Sequence, residues 1–155
     1  MTAICVDACV LIGLVSPNDQ HHEQSKELFE GYFEDEPQNA MLIPWPVTYE
    51  TVATATVGRP SSLAALERAL RSLEVRGRLQ FLNDEPYREQ ALKDCFGELT
   101  QPLPRQRKLS LADRVIRAMI RDNAVRMDAL VTFNSRDFAD VCQSRRIELL
   151  PTVVK

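Results

Sequence analysis

The strongest constraint on this chain is the stretch Ile4-Cys5-Val6-Asp7-Ala8-Cys9-Val10-Leu11-Ile12, an apolar run with one carboxylate in its middle. A strand of this composition belongs in a protein interior, where a carboxylate without a partner is costly. Asp7 must therefore sit where the strand emerges, or meet a strong cationic partner there. Residues 2–6 read as a short buried strand with β-branched Ile4 and Val6, and Val10 to Val15 as a brief helical turn.

The rest of the chain alternates between short apolar strands and helical periodicity. Helices are predicted over about 21–33, 46–56, 62–75, 85–99 and 110–124, with a helical turn over 137–143. Strands are predicted at 40–43, 79–82, 129–132 and 147–150. Pro46 is placed as a first helical residue, Ser61 as the cap of the 62–75 helix, and Ala91, Leu92, Cys95 and Phe96 as the inward face of the 85–99 helix. Strands separated by helices indicate an α/β fold with a mainly parallel sheet. No repeat, low-complexity segment or linker interrupts the 155 residues, so residues 1–155 are expected to form a single domain.

Composition narrows the class. Hydrophobic content of 45% and charged content of 26% are those of a globular chain. The apolar run from Ile4 to Val15 is too short to span a bilayer and carries Asp7, so no membrane span is expected. Four cysteines, at 5, 9, 95 and 142, form no Cys-x-x-Cys pair. Reduced core thiols in a cytoplasmic protein are the expectation. Residues 1–100 carry 8 Lys+Arg against 16 Asp+Glu, while residues 101–155 carry 11 against 6. A basic tract beside acidic residues suits a site that holds a polyanion and binds cations, although charge taken alone favours solvated helix faces. Aromatic content of 6% argues against a broad base-stacking platform.

Open α/β sheets place functional sites beyond the carboxyl ends of their strands. Several acids fall there. Asp7 ends the first strand, and Glu50 lies early in the helix after the second. Asp113 lies in the first turn of the helix that Ser110 starts. Asp137 lies in the turn after the 129–132 strand, with Asn134 beside it. Carboxylates brought together repel unless divalent cations neutralise them, and an oxygen-only set suits Mg²⁺ or Mn²⁺ better than zinc. Each acid also has a structural reading; Ser110-Leu111-Ala112-Asp113 in particular resembles a helix capping box.

Four segments together resemble the motifs of PIN-domain ribonucleases, in family order and spanning the chain. They are Val6-Asp7-Ala8-Cys9-Val10-Leu11-Ile12, Pro46-Val47-Thr48-Tyr49-Glu50, Ser110-Leu111-Ala112-Asp113-Arg114-Val115-Ile116, and Leu130-Val131-Thr132-Phe133-Asn134-Ser135-Arg136-Asp137-Phe138. The resemblance implies a three-layer α/β/α PIN-like fold with a short central parallel sheet. It implies metal-dependent hydrolysis of RNA phosphodiester bonds, with Asp7, Glu50 and Asp113 holding Mg²⁺ or Mn²⁺ and Asn134 or Asp137 completing the site. Arg105, Arg107 and Lys108, with Arg114 and Arg136, are the expected RNA contacts. The size of the chain resembles that of VapC-type toxins of bacterial toxin–antitoxin pairs, which implies a homodimer and a cognate antitoxin protein.

Two positions depart from the family pattern. Cys9 stands where Ser or Asn is usual, and Asn134 where Asp is usual. They motivate the alternative of a catalytically degenerate PIN-like binding or scaffold protein. A phosphotransferase of another α/β class would need Asp-x-Asp after the first strand, where this chain has Asp7-Ala8-Cys9. A zinc site built from Cys5, Cys9, His21 and His22 is the remaining metal-based alternative.

Overall fold

The structure of the protein is a computed structural model that describes residues 2–104 and 108–151. Five strands form one parallel sheet: β1 (Ala3–Val6), β2 (Ala40–Pro44), β3 (Leu79–Leu82), β4 (Ala129–Val131) and β5 (Glu148–Leu150), in the order β3-β2-β1-β4-β5. β1 is central, pairing Ile4 with Met41 of β2 on one side and with Ala129 of β4 on the other. Every residue of β1 and β2 is buried, whichever face its side chain takes. Both faces are therefore covered, which is why these strands read as continuous apolar runs rather than alternating ones.

The covering layers are helical. On the first half of the chain lie α1 (Ala8–Val15), α2 (His22–Phe29), α3 (Trp45–Thr51), α4 (Thr54–Val57) and α5 (Pro60–Glu74). Then come α6 (Glu85–Gly97), α7 (Leu111–Arg121) and α8 (Ala139–Ser144). α1 packs on α2, α3 and α5, α6 and α8 pack on α7, and α3 also touches α7. α2 runs on into a π-helical turn at Glu30–Glu34, which buries Phe33 beside Phe29. All four cysteines are free, with Cys5 and Cys142 in the core. Among the described residues no helix is long and apolar enough to cross a membrane.

Three local expectations are corrected. The helix expected over 46–56 breaks after Thr51. There the Thr56 hydroxyl takes the Thr51 carbonyl at 2.6 Å while the Thr51 hydroxyl reaches back to Val47 at 2.7 Å. Threonines compete in this way with the main-chain ladder, and the segment is rich in them. α5 starts at Pro60 rather than after Ser61, because proline is preorganised for the first helical turn; Arg59 occupies the cap. On α6 only Ala91 is buried, and Leu92 and Phe96 are exposed, because the helix meets its neighbour along a narrower seam than its sequence suggests.

Candidate active site

The chain proceeds from β1 outward through β2 to β3, then returns to place β4 and β5 on the other side of β1. Beyond the carboxyl ends of β1 and β4 the flanking connections diverge, and such a switch point opens a crevice in a parallel sheet. Asp7 and Thr132 are the first residues past these two strand ends.

Asp7 is only 7% exposed. It sits at the end of the central strand, and neutral donors hold it rather than a cation. One carboxylate oxygen accepts the Ala8 N–H at 2.8 Å, making Asp7 the N-cap of α1. The other accepts the Thr132 hydroxyl at 2.7 Å and the Cys9 thiol at 3.6 Å. Burial pushes the Asp7 carboxyl above its ordinary value. The Thr132 hydroxyl and Ala8 N–H oppose that rise, and the Asp113 carboxylate adds to it.

Cys9 joins the first strand end to the fourth. Its sulfur accepts the Phe133 N–H at 3.4 Å and lies 3.8 Å from the Thr132 hydroxyl. Burial, then the field of Asp7, push its thiol up to about 11, so it stands as a neutral donor beside the carboxylate. A thiol thus occupies the small-hydroxyl position without leaving either neighbour unpaired. His21, at the start of α2, stacks on the Phe133 ring at 4.2 Å.

Glu50 lies near the start of the β2–β3 connection, at the exposed rim; because α3 stops at Thr51, it stands in the last turn of its helix rather than early in it as expected. Its carboxyl is raised first by partial burial and then by Asp7 and Asp113. Asp113 enters from α7, whose first turn is fixed by a reciprocal capping box. The Ser110 hydroxyl accepts the Asp113 N–H at 3.1 Å, and the Asp113 carboxylate accepts the Ser110 N–H at 3.2 Å. Both readings of Asp113 are thus compatible: it caps its helix and its charge is felt by Asp7 and Glu50.

The fourth segment is arranged differently from the other three. Thr132 is buried, and its oxygen also accepts the Asn134 N–H at 2.9 Å. Asn134 is exposed, ahead of a 3₁₀ turn at Ser135–Asp137. The Asp137 carbonyl accepts from Arg117 at 2.7 Å, which ties that turn to α7. Arg117 is itself buried and grips Asp140 with both arms of its guanidinium, at 2.7 and 2.9 Å.

The basic tract is less available than its sequence suggests. Arg114 is engaged by Glu98 and by the Leu109 carbonyl, Arg117 by Asp140, and Arg145 by the carbonyls of Ile120, Asp122 and Val125. Lys108 and Arg136 are exposed. Arg105 and Arg107 lie outside the described residues.

Thr132 and Arg117 escaped the sequence reading. A threonine closing a strand and an arginine in a basic run carry no local mark of their partners, which lie 125 and 23 residues away in sequence. The zinc alternative fails: Cys5 is wholly buried, the His22 ring bonds the Gly13 carbonyl at 2.8 Å, and His21 stacks on Phe133.

Among the described residues no three His, Cys, Asp or Glu side chains close into a ready metal cage. The donor set still fits a hard divalent cation. Mg²⁺ is usually held by one or two carboxylates together with water and substrate phosphate, not by an all-protein cage. After burial, the Asp113 carboxylate adds to the raised carboxyl of Asp7, and Asp7 and Asp113 both add to that of Glu50, so these three oxygen donors lie near enough to offer such an open set.

An open parallel sheet of order 3-2-1-4-5 with acids at its switch point defines the class of fold. The chain matches the PIN domain family model over residues 4–143 and belongs to that family. Among solved structures it is similar to Mycobacterium tuberculosis VapC20, a sarcin-ricin loop cleaving toxin. The TM-score is 0.58 at 15% identity, covering 88% of this chain and 94% of that one. At that identity the likeness is one of fold. A comparison with curated proteins finds no match.

Proposed function

We propose that this protein is a metal-dependent ribonuclease, the toxin of a toxin–antitoxin pair, formed as a single domain. The observation that carries the reading is the buried Asp7. It is held by Thr132, Cys9 and the Ala8 N–H, it lies in the field of Asp113, and its own field reaches Glu50. Capping accounts for Asp7 and Asp113 one at a time, but it does not require Glu50 to stand in the field of both.

Asp7, Glu50 and Asp113 would hold Mg²⁺ or Mn²⁺, with Asn134 or Asp137 completing the set. When bound, such an ion supplies the Lewis-acid chemistry of phosphodiester hydrolysis, activating water and offsetting charge on the phosphate. The chain's own part is orientation. Thr132 and the Ala8 N–H fix the two oxygens of Asp7, and the capping box fixes Asp113. Of the expected RNA contacts, Lys108 and Arg136 are exposed and can meet RNA phosphates. Tyr49, Leu92 and Leu111 are exposed along a mainly apolar groove of about 400 Å³ that reaches Glu50. This supports a protein partner beside the site, either a second copy of the chain or an antitoxin.

The test is cleavage of RNA by the purified chain in Mg²⁺ or Mn²⁺, with Asp7→Asn as the control. The wild type is expected to cut and to lose activity in chelator, with the variant at least about a hundredfold slower. A variant that cuts at the wild-type rate sinks the reading. A folded wild type that neither cuts RNA nor binds Mn²⁺ favours the binding-protein alternative.

A further inference from the structure

We infer that Arg117 is a positioning residue for the active site, locking the third and fourth acidic segments into one rigid unit; this rests on the metal-dependent reading above. Arg117 lies four residues after Asp113 on α7, one turn along the same side of the helix. It is only 7% exposed, so its charge is committed inside the protein. One guanidinium nitrogen donates both to the Asp137 carbonyl and to Asp140, each at 2.7 Å. The other donates to the second Asp140 oxygen at 2.9 Å.

The two acceptors bracket Phe138, the junction between the Ser135–Asp137 turn and α8. Phe138 itself is wholly buried. A planar fork gripping a carboxylate with two parallel bonds fixes orientation as well as distance, which a lysine does not do. The fork therefore sets where the turn bearing Asn134 and Asp137 stands relative to the helix bearing Asp113.

The other end of the turn is tied independently. The Asn134 N–H bonds the Thr132 oxygen, and the Thr132 hydroxyl bonds Asp7. The segment between Thr132 and Asp140 is thus pinned at one end to the first strand and at the other to α7. Arg117 is the anchor that refers the fourth segment to Asp113. If both anchors hold, the first, third and fourth acidic segments keep one geometry; if Arg117 is lost, Asp7 and Asp113 keep theirs and the fourth side opens.

The experiment measures Mn²⁺ binding by calorimetry on the full chain, with thermal unfolding in chelator recorded alongside. The variants are Arg117→Lys, Asp140→Asn, Asp7→Asn and Arg145→Gln. Arg145 is the comparison because it also binds main-chain carbonyls at the end of α7, but away from the turn. The expectation is that Arg117→Lys and Asp140→Asn stay folded and lose Mn²⁺ affinity by about ten- to a hundredfold, as residues supporting metal ligands do. Arg145→Gln should lose stability and keep its affinity within about twofold, since it supports no ligand. If both fork variants bind Mn²⁺ as the wild type does, or Arg145→Gln weakens binding equally, the inference is overturned while the metal reading stands. If the wild type does not bind Mn²⁺, or Asp7→Asn binds it unchanged, the metal reading fails and takes this inference with it.

Discussion

Thr132→Val tests the core of the site, because it removes one hydroxyl and leaves the shape of the side chain. That hydroxyl donates to the buried Asp7 carboxylate at 2.7 Å and accepts the Asn134 N–H at 2.9 Å. A hydrogen bond to a charged group contributes about 1.5–3 kcal/mol. Asn134 is exposed, so water can take over its N–H and the second loss is small. The expected destabilisation at pH 8 in chelator is therefore about 2–3 kcal/mol, nearly all from the first bond. At about 2–4 °C per kcal/mol for a chain of this length, the melting temperature should fall by roughly 5–10 °C. The hydroxyl also lowers the Asp7 pKa, so its loss should matter less at pH 5, where the raised carboxyl is closer to neutral. Urea unfolding of the wild type, Thr132→Val, Asp7→Asn and the double variant gives the coupling directly, expected at about 1.5–3 kcal/mol. A Thr132→Val protein as stable as the wild type, or one more damaged at pH 5 than at pH 8, would refute the reasoning.

Asp7→Asn should show the opposite pH trend in stability. Folding raises the Asp7 carboxyl, so between its unfolded and folded pKa values the native state holds more protons than the unfolded chain. Stability without metal must then fall as pH rises through that window. The variant lacks this titration, so its melting temperature relative to wild type should climb from pH 4 to pH 8 in chelator; a flat or falling difference counts against the buried-charge account. At the α1–α2 contact, a Cβ added at Gly13 would lie 2.4 Å from the Ser25 hydroxyl oxygen and 3.3 Å from the His21 carbonyl. Gly13→Ala is expected to cost about 1–3 kcal/mol by overpacking. The Ser25 hydroxyl is buried without a hydrogen bond, so Ser25→Ala should be neutral or stabilising and should recover most of that loss in the double variant, as thermal melts would show.

The sheet was legible because its strands are buried on both faces. Ile4-Cys5-Val6 and Met41-Leu42-Ile43 show as apolar runs whatever their register. Asp7 and Asp113 were legible because one follows a strand and the other opens a helix, positions that sequence order alone reveals; Glu50 closes its helix instead, because α3 stops at Thr51. What holds them was not. Asp7 calls for a strand end or a cationic partner; it stands at the strand end, and a threonine hydroxyl, an amide and a thiol hold it there. The basic tract read as a surface for RNA, yet Arg114, Arg117 and Arg145 spend their charge on carboxylates and carbonyls of the protein itself. A pattern of residue types marks where charge is carried. Which charges reach solvent is settled by contacts between segments far apart in the chain.

The central position of β1 has a consequence for synthesis. Asp7 and Thr132 are 125 residues apart, and β1 gains its second neighbour only when residues 129–131 exist. While the chain is being made, β1 and β2 can pair and α1 and α2 can pack, but the carboxylate waits for its hydroxyl. Contacts of such high sequence separation form late, after the long loop between them has been closed. For a chain proposed to cut RNA, the strand order means that the two sides of the crevice meet only once residues 129–132 have been made.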